Sequence, residues 1–201
     1  MRVINQSPRA GLRALIERSR KTGELSISDV VFGIAPRINA AGRIEHGKIA
    51  VEILIEQDFE KAKILAEVIE AHNTERKELD QNITKEALLM VSENKKSTVV
   101  YSPDWHKGVV GIVASRLIEK HYKPTIVLSE KDDELTGSAR SVKGFDLYDA
   151  LLKCEHLLEK FGGHKYAAGL TIKKKNLEAF IFEFEKVVSS SITKEQQISE
   201  I

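Results

Sequence analysis

One cysteine, Cys154, among 201 residues excludes an intramolecular disulfide and any metal site built from several thiolates. Long hydrophobic runs are missing as well: no stretch approaches the roughly 18 apolar residues that a membrane helix needs. The opening Met1-Arg2-Val3-Ile4-Asn5-Gln6-Ser7-Pro8-Arg9 has charges but no apolar segment after them, so it is not a secretory signal. An excess of charge of one sign is absent too, the net value being +1. That excludes a histone-like polycation, so nucleic-acid binding by this chain would have to be local and geometric. A cytoplasmic, soluble protein is expected. With 42% hydrophobic residues the chain can bury one large core or two small ones.

Charge is unevenly spread. Residues 1–50 hold nine Lys and Arg against four Asp and Glu, whereas residues 51–95 hold six against eleven. The remainder is balanced, at sixteen against fifteen. The chain is thus basic at its start and acidic in its middle.

Leu12, Leu15 and Ile16 are spaced as on one face of a helix ending near Gly23. Ser26 and Ser28-Asp29 suit the cap of a short helix before Gly33. Pro36 to Ile44, rich in small residues, reads as a loop-like element, and a helical pattern resumes over 48–56. No Gly or Pro occurs from Asp58 to about Lys95. Apolar positions there predict a long amphipathic helix with a polar, wet stretch from His72 to Glu78, as in a strut between two bodies. Two helices broken near Asn73 are the alternative. Strands are then expected at Thr98–Tyr101, Thr125–Leu128, Leu135–Ser141 and Gly169–Ile172. Helices are expected at Val109–Tyr122, at Phe145–Phe161 (stopped by Gly162-Gly163) and at Leu177–Val188, before a frayed tail. The order β-α-β-β-α-β-α predicts a small α/β domain with a mixed sheet.

Four clusters join small residues to groups that bind phosphate. Arg37 and Arg43, around Asn39 and Gly42, can fork onto phosphate oxygens or pair with nearby acids such as Glu45. Trp105-His106-Lys107-Gly108-Val109-Val110-Gly111 lies between a strand and a helix, where free amides attract anions. Trp105 can stack on a base or anchor the loop. Ser138 and Arg140, two apart in Gly137-Ser138-Ala139-Arg140-Ser141, share one face of a strand and suit a terminal phosphate. In Gly162-Gly163-His164, before Ala167-Ala168-Gly169, bulk is stripped from around a histidine able to donate to phosphate or assist a leaving group. No clustered Asp and His supply a metal centre: Asp132-Asp133 lies in a turn, and His46, His72, His106, His121 and His156 show no ligand spacing with acids.

These clusters, in this order, resemble the C-terminal half of RecJ-type single-strand-specific DNA exonucleases of the DHH phosphoesterase superfamily. The carriers are Pro-Arg-Ile-Asn-Ala-Ala-Gly-Arg-Ile at 36–44, Asn73-x-x-Arg76, Trp-His-Lys-Gly-Val-Val-Gly-Ile-Val-Ala-Ser-Arg at 105–116, Gly-Ser-Ala-Arg-Ser at 137–141 and Gly-Gly-His-Lys-Tyr-Ala-Ala-Gly at 162–169. The resemblance implies a DHH-associated α/β domain at 97–190, a connecting helix at 58–96, a mainly helical remnant of the catalytic domain at 1–57 and a tail at 191–201. It implies 5′-to-3′ removal of nucleotides from single-stranded DNA with Mn2+ or Mg2+. It further implies single-strand-binding protein or a helicase as partners, and no membrane. By the same resemblance Arg37, Asn39, Arg43, Trp105, His106, Ser138, Arg140, Gly162 and Gly163 bind substrate phosphate, and His164 contacts phosphate or donates a proton across an interdomain cleft. The Asp-His-His box and its companion aspartates are missing. The chain is therefore expected to be a fragment that binds no metal and has no nuclease activity alone. Two alternatives stand beside this: an oligoribonuclease or cyclic-dinucleotide phosphodiesterase of the same superfamily, and a non-catalytic nucleic-acid-binding module.

Overall fold

The structure, a computed structural model, describes residues 1–199. Its contacts divide the chain into two compact units, Met1–Leu79 and a second from Asp80 onward. Among the described residues no helix is long and apolar enough to cross a membrane.

The first unit is helical. It comprises α1 (Arg2–Gln6), α2 (Ala10–Arg18), α3 (Ile27–Asp29), α4 (Ala35–Ile44), α5 (Lys48–Ile55) and the N-terminal part of α6 (Phe59–Leu89). Its core includes Leu15, Ile34, Ile53, Ala62, Ala66 and Ile69. Ser26 caps α3 through a reciprocal bond with Asp29, but the helix does not stop at Gly33. It passes through one π turn, Val30–Ile34, into α4. The stretch from Pro36 to Ile44 is therefore helix and not loop. Pro36 sits in the first turn, where a missing N–H costs nothing, and the Arg37 guanidinium takes the Gly33 carbonyl (2.5 Å).

Helix α6 is unbroken, so there are not two helices parted near Asn73. Its residues up to Leu79 belong to the first unit and those from Asp80 to the second. Neither is its middle uniformly wet: Asn73 and Asp80 are buried. Arg76 donates to Asn73 (2.9 Å), and Arg116 donates to the Asp80 carboxylate (2.7 Å).

The second unit is a five-stranded mixed sheet in the order β1-β2-β3-β5-β4. The strands are β1 (Thr98–Ser102), β2 (Thr125–Lys131), β3 (Glu134–Arg140), β4 (Leu158–His164) and β5 (Ala167–Lys173). Helix α7 (Val110–His121) makes the crossover between the parallel pair β1 and β2; every other pairing is antiparallel. Helices α8 (Leu147–Lys153) and α9 (Leu177–Ser191) share a core with the sheet, built from Ile126, Leu128, Ala139, Ala168, Phe180 and Phe184 among others. Burial pushes the Cys154 thiol in this core up to about 11, with the Glu183 carboxylate adding to the shift. This cysteine is a packing residue and not a nucleophile.

Two expectations fail here. Helix was expected from Phe145 to Phe161 with the glycine pair as its stop. The helix is only α8, and Gly162-Gly163 lies inside strand β4. Leu151, Cys154, Leu158 and Phe161 repeat with nearly helical spacing, but pairing with β5 gives the last two an extended backbone. Nor is the end of the chain frayed over 192–199. Ile192 is buried in the core, and Gln196 accepts from the Thr193 N–H (3.0 Å); residues 200 and 201 lie outside the described residues.

Candidate nucleic-acid interface

The register of three strands builds the site. Arg140 is opposite Ala167, and Ala167 is opposite His164. Ser138 is likewise opposite Gly169, which is opposite Gly162, and Thr136 is opposite Thr171, which is opposite Lys160. Residues directly opposite in antiparallel strands share a face, and so do positions two apart. All nine are therefore on one side of the sheet. The alternate row, Ala139, Ala168 and Gly163, turns to the other side, where both alanines are buried.

This nine-residue face holds two permanent cations, a histidine and three hydroxyls, and no acid. Its floor is bare. Gly162 and Gly169 are exposed, and nothing lies within 4 Å of a Cβ built on Gly162. Arg140 and His164 are two strands apart, so their backbones stand about 10 Å from each other, with only the Ala167 methyl between them.

The glycine pair is not two equivalent residues. Gly163 has φ +153°, and a Cβ there would meet the Ala167 carbonyl oxygen at 2.3 Å and the Ala168 Cα at 2.5 Å. Gly163 is needed for the strand to form, and Gly162 keeps the ligand face clear. A two-residue turn, Lys165-Tyr166, follows and leaves His164 exposed at the hairpin end.

The first turn of α7 borders the same face. A Cβ on Gly111 would lie 3.1 Å from both Arg140 Nη2 and Ser138 Oγ. Arg140 Nη1 donates to Ser138 Oγ (2.8 Å) and to its neighbour's carbonyl, that of Ala139 (2.8 Å). Ser138 is thereby held as an acceptor toward Arg140, with its own hydrogen available to a ligand. Three of the four sequence clusters thus contribute to one surface: the second through Gly111, the third through Ser138 and Arg140, and the fourth through Gly162 and His164.

Trp105 does not join them. It is 4% exposed, and its Nε1 donates to Glu86 of α6 (2.8 Å). This is a loop anchor, with no ring face open to a base. The fourth cluster lies in the first unit, and its two arginines diverge. At about 100° per residue, a helix puts Asn39 and Arg43 within roughly 40° of each other and Arg37 on nearly the opposite side. Arg37, 14% exposed at its side chain, forms a two-pronged pair with Glu70; Asn39 and Arg43 are exposed. Arg37 is accordingly a structural residue.

Spacing along the chain does not point to Gly111 as the seat of a guanidinium, to Lys160, or to Asp80 and Glu86 as anchors of α7 and its preceding loop. Each of these depends on strand register or helix packing. Among the described residues no three His, Cys, Asp or Glu side chains come together to hold a metal ion.

Residues 94–190 match the family described as DHHA1 domain. Over 97% of its length the chain is 37% identical to the single-stranded-DNA-specific exonuclease RecJ of Bacillus subtilis, covering 26% of that protein. It is also 37% identical, over 90% of its length, to the exonuclease of the same name from Salmonella typhimurium, covering 34% of it. Among solved structures, RecJ in complex with Mg2+ from Thermus thermophilus superposes with a TM-score of 0.88 at 31% identity, covering 98% of this chain and 31% of that one. Exonuclease RecJ bound to manganese gives 0.87 at 31% identity, covering 98% of this chain and 49% of that one. The chain spans between 26% and 36% of the length of the curated relatives it matches.

Proposed function

Because this chain is a homologue of the RecJ-type exonucleases and carries a DHHA1 domain, we propose that it is the substrate-binding half of a single-stranded-DNA-specific 5′-to-3′ exonuclease. The supporting observation is the acid-free sheet face on which Arg140 and His164 flank Ala167 over the bare glycines Gly162 and Gly169. Arg140 supplies a fixed positive charge, Ser138 a hydroxyl and His164 an imidazole, around the bare glycine floor. These groups bind and orient the strand, and neutralise charge on phosphate oxygens as the diester is hydrolysed. Asn39 and Arg43, exposed on one face of α4, supply a further contact to the DNA backbone.

Hydrolysis belongs to the intact protein. Manganese or magnesium, with which relatives were solved, has no fitting donor set among the described residues. The chain alone is expected to leave a 5′-labelled single-stranded oligonucleotide uncut in excess manganese. Degradation that disappears in His164→Ala would overturn this assignment.

A further inference from the structure

The chain has six histidines, and two of them are followed by lysine: His106-Lys107 and His164-Lys165. The structure treats this pair alike and the other four differently. The Gly108 N–H donates to Nδ1 of His106 (3.1 Å), and the Tyr166 N–H donates to Nδ1 of His164 (3.3 Å). In each case the histidine precedes a turn, Lys107 to Val109 in one and Lys165-Tyr166 in the other, and the amide of the second turn residue returns to the ring. Among the described residues no such bond is formed by His46, His72, His121 or His156; His72 and His121 instead face Glu45 and Glu93.

A neutral imidazole has one donor nitrogen and one acceptor. With Nδ1 accepting from the backbone, the proton of the neutral ring is on Nε2. Nε2 of neither ring has a hydrogen-bond partner among the described residues. It is the atom each ring can offer to a ligand, and it offers N–H and not a lone pair. The lysine next to each ring is the first residue of its turn and is exposed. The Lys165 ammonium lies 5.8 Å from the Tyr166 ring centre, and Lys107 has no ion pair among the described residues.

We propose that His106-Lys107 and His164-Lys165 are two matching anion clips, each pairing a backbone-fixed Nε2–H donor with a lysine ammonium to hold a nucleic-acid phosphate. The inference rests on the DNA-binding reading above for the identity of the anion, and it adds Lys107 and Lys165 as contacts. It makes Gly108 and Tyr166 positioning residues that act through their main-chain N–H groups. The two clips would hold two phosphates, one at the loop before α7 and one at the β4–β5 hairpin.

Two measurements on the 201-residue chain test it. The first is the ring-nitrogen spectrum of the 15N-labelled protein at alkaline pH. It is expected to show the Nε2–H form alone at His106 and His164, and a mixture of forms at the exposed His46 and His156. A mixture or the Nδ1–H form at His106 or His164 would overturn the backbone lock, whatever the DNA result. The second is affinity for an oligothymidylate as a function of salt. Removing one phosphate contact lowers the slope of log affinity against log salt by about 0.7 for a single strand, so Lys107→Ala and Lys165→Ala should each do so. In addition, His164→Gln, whose amide nitrogen falls near the position of Nε2, should bind several-fold tighter than His164→Asn. Equal binding by these two, or unchanged slopes in both lysine variants, would overturn the clips. Absence of any oligothymidylate binding by the unmodified chain would instead overturn the DNA-binding reading, and the spectrum would still decide the lock.

Discussion

Gly111 and Arg140 are in contact because one of them has no side chain: a Cβ on Gly111 would stand 3.1 Å from the Arg140 guanidinium and equally close to Ser138 Oγ. Gly111→Ala should therefore shift both groups. A methyl in the first turn of α7 costs the helix nothing and contributes up to about 1 kcal/mol through propensity. Single-stranded-DNA affinity is expected to fall roughly 3- to 10-fold, the equivalent of one hydrogen bond, while the melting temperature holds or rises. Fluorescence anisotropy and thermal unfolding of the same preparation check both halves.

The two neighbouring glycines of β4 should respond in opposite ways. Gly163→Ala puts a methyl against the Ala167 carbonyl and the Ala168 Cα at a backbone angle that side chains rarely adopt. A loss of at least about 2 kcal/mol in urea unfolding is expected. Gly162→Ala meets nothing within 4 Å and should unfold like the parent, but its methyl stands on the ligand face and should weaken DNA binding.

Helix α4 separates its arginines by role. Arg37→Ala removes a two-pronged, partly buried pair with Glu70 and the cap on the Gly33 carbonyl. It should cost roughly 1–3 kcal/mol and leave the affinity of the folded fraction for DNA unchanged. Arg43→Ala, on an exposed position, should weaken binding by the folded protein. A double-mutant cycle of Arg37 with Glu70 would show the coupling directly.

Acid sensitivity of the second unit should trace in part to Glu185. Burial alone would raise this carboxyl, but hydrogen bonds from the Ser97 hydroxyl, the Lys96 and Ser97 N–H groups and the Ser189 hydroxyl outweigh it and hold it below the usual carboxylate range. A carboxyl lowered by folding stabilises fully above its unfolded pKa of about 4.3; that stabilisation is lost as the pH falls through the lower folded value. Glu185→Gln should thus cost about 1 kcal/mol at pH 7, after allowing for its partial exposure. The difference from the parent should shrink toward zero below pH 4, as read by urea unfolding across pH.

Elements that carry their own pattern were legible in the sequence. α6 has no Gly or Pro to stop it, α7 ends before Pro124 as its spacing predicts, β1, β2 and β5 follow apolar stretches, and β3 follows the acidic turn Lys131 to Glu134. The failures are at elements defined by a partner. Strand β4 is an edge strand, mostly exposed, whose extended form comes from pairing with β5. α4 looks like a loop until the π turn and the Arg37 contact to Gly33 are known. The same distinction governs the site. Which residue types would meet phosphate is visible in Ser138, Arg140 and His164, but that Arg140 and His164 share a row through Ala167 is a matter of register. Trp105 and Arg37, plausible ligand contacts by type, are taken up by Glu86 and Glu70, and neither acid has any sequence pattern tying it to them.

The most direct measurement is equilibrium binding of a fluorescent oligothymidylate to the parent chain, Arg140→Ala, His164→Ala and Trp105→Phe over a salt series. If the open face of the sheet holds phosphate, Arg140→Ala and His164→Ala should each weaken binding by the folded protein at least about 5-fold, and Arg140→Ala should also lower the salt slope by about 0.7. Trp105→Phe should lower stability and leave the folded protein's affinity intact. Parent-like binding by both Arg140→Ala and His164→Ala would contradict the assignment of this face as the nucleic-acid interface.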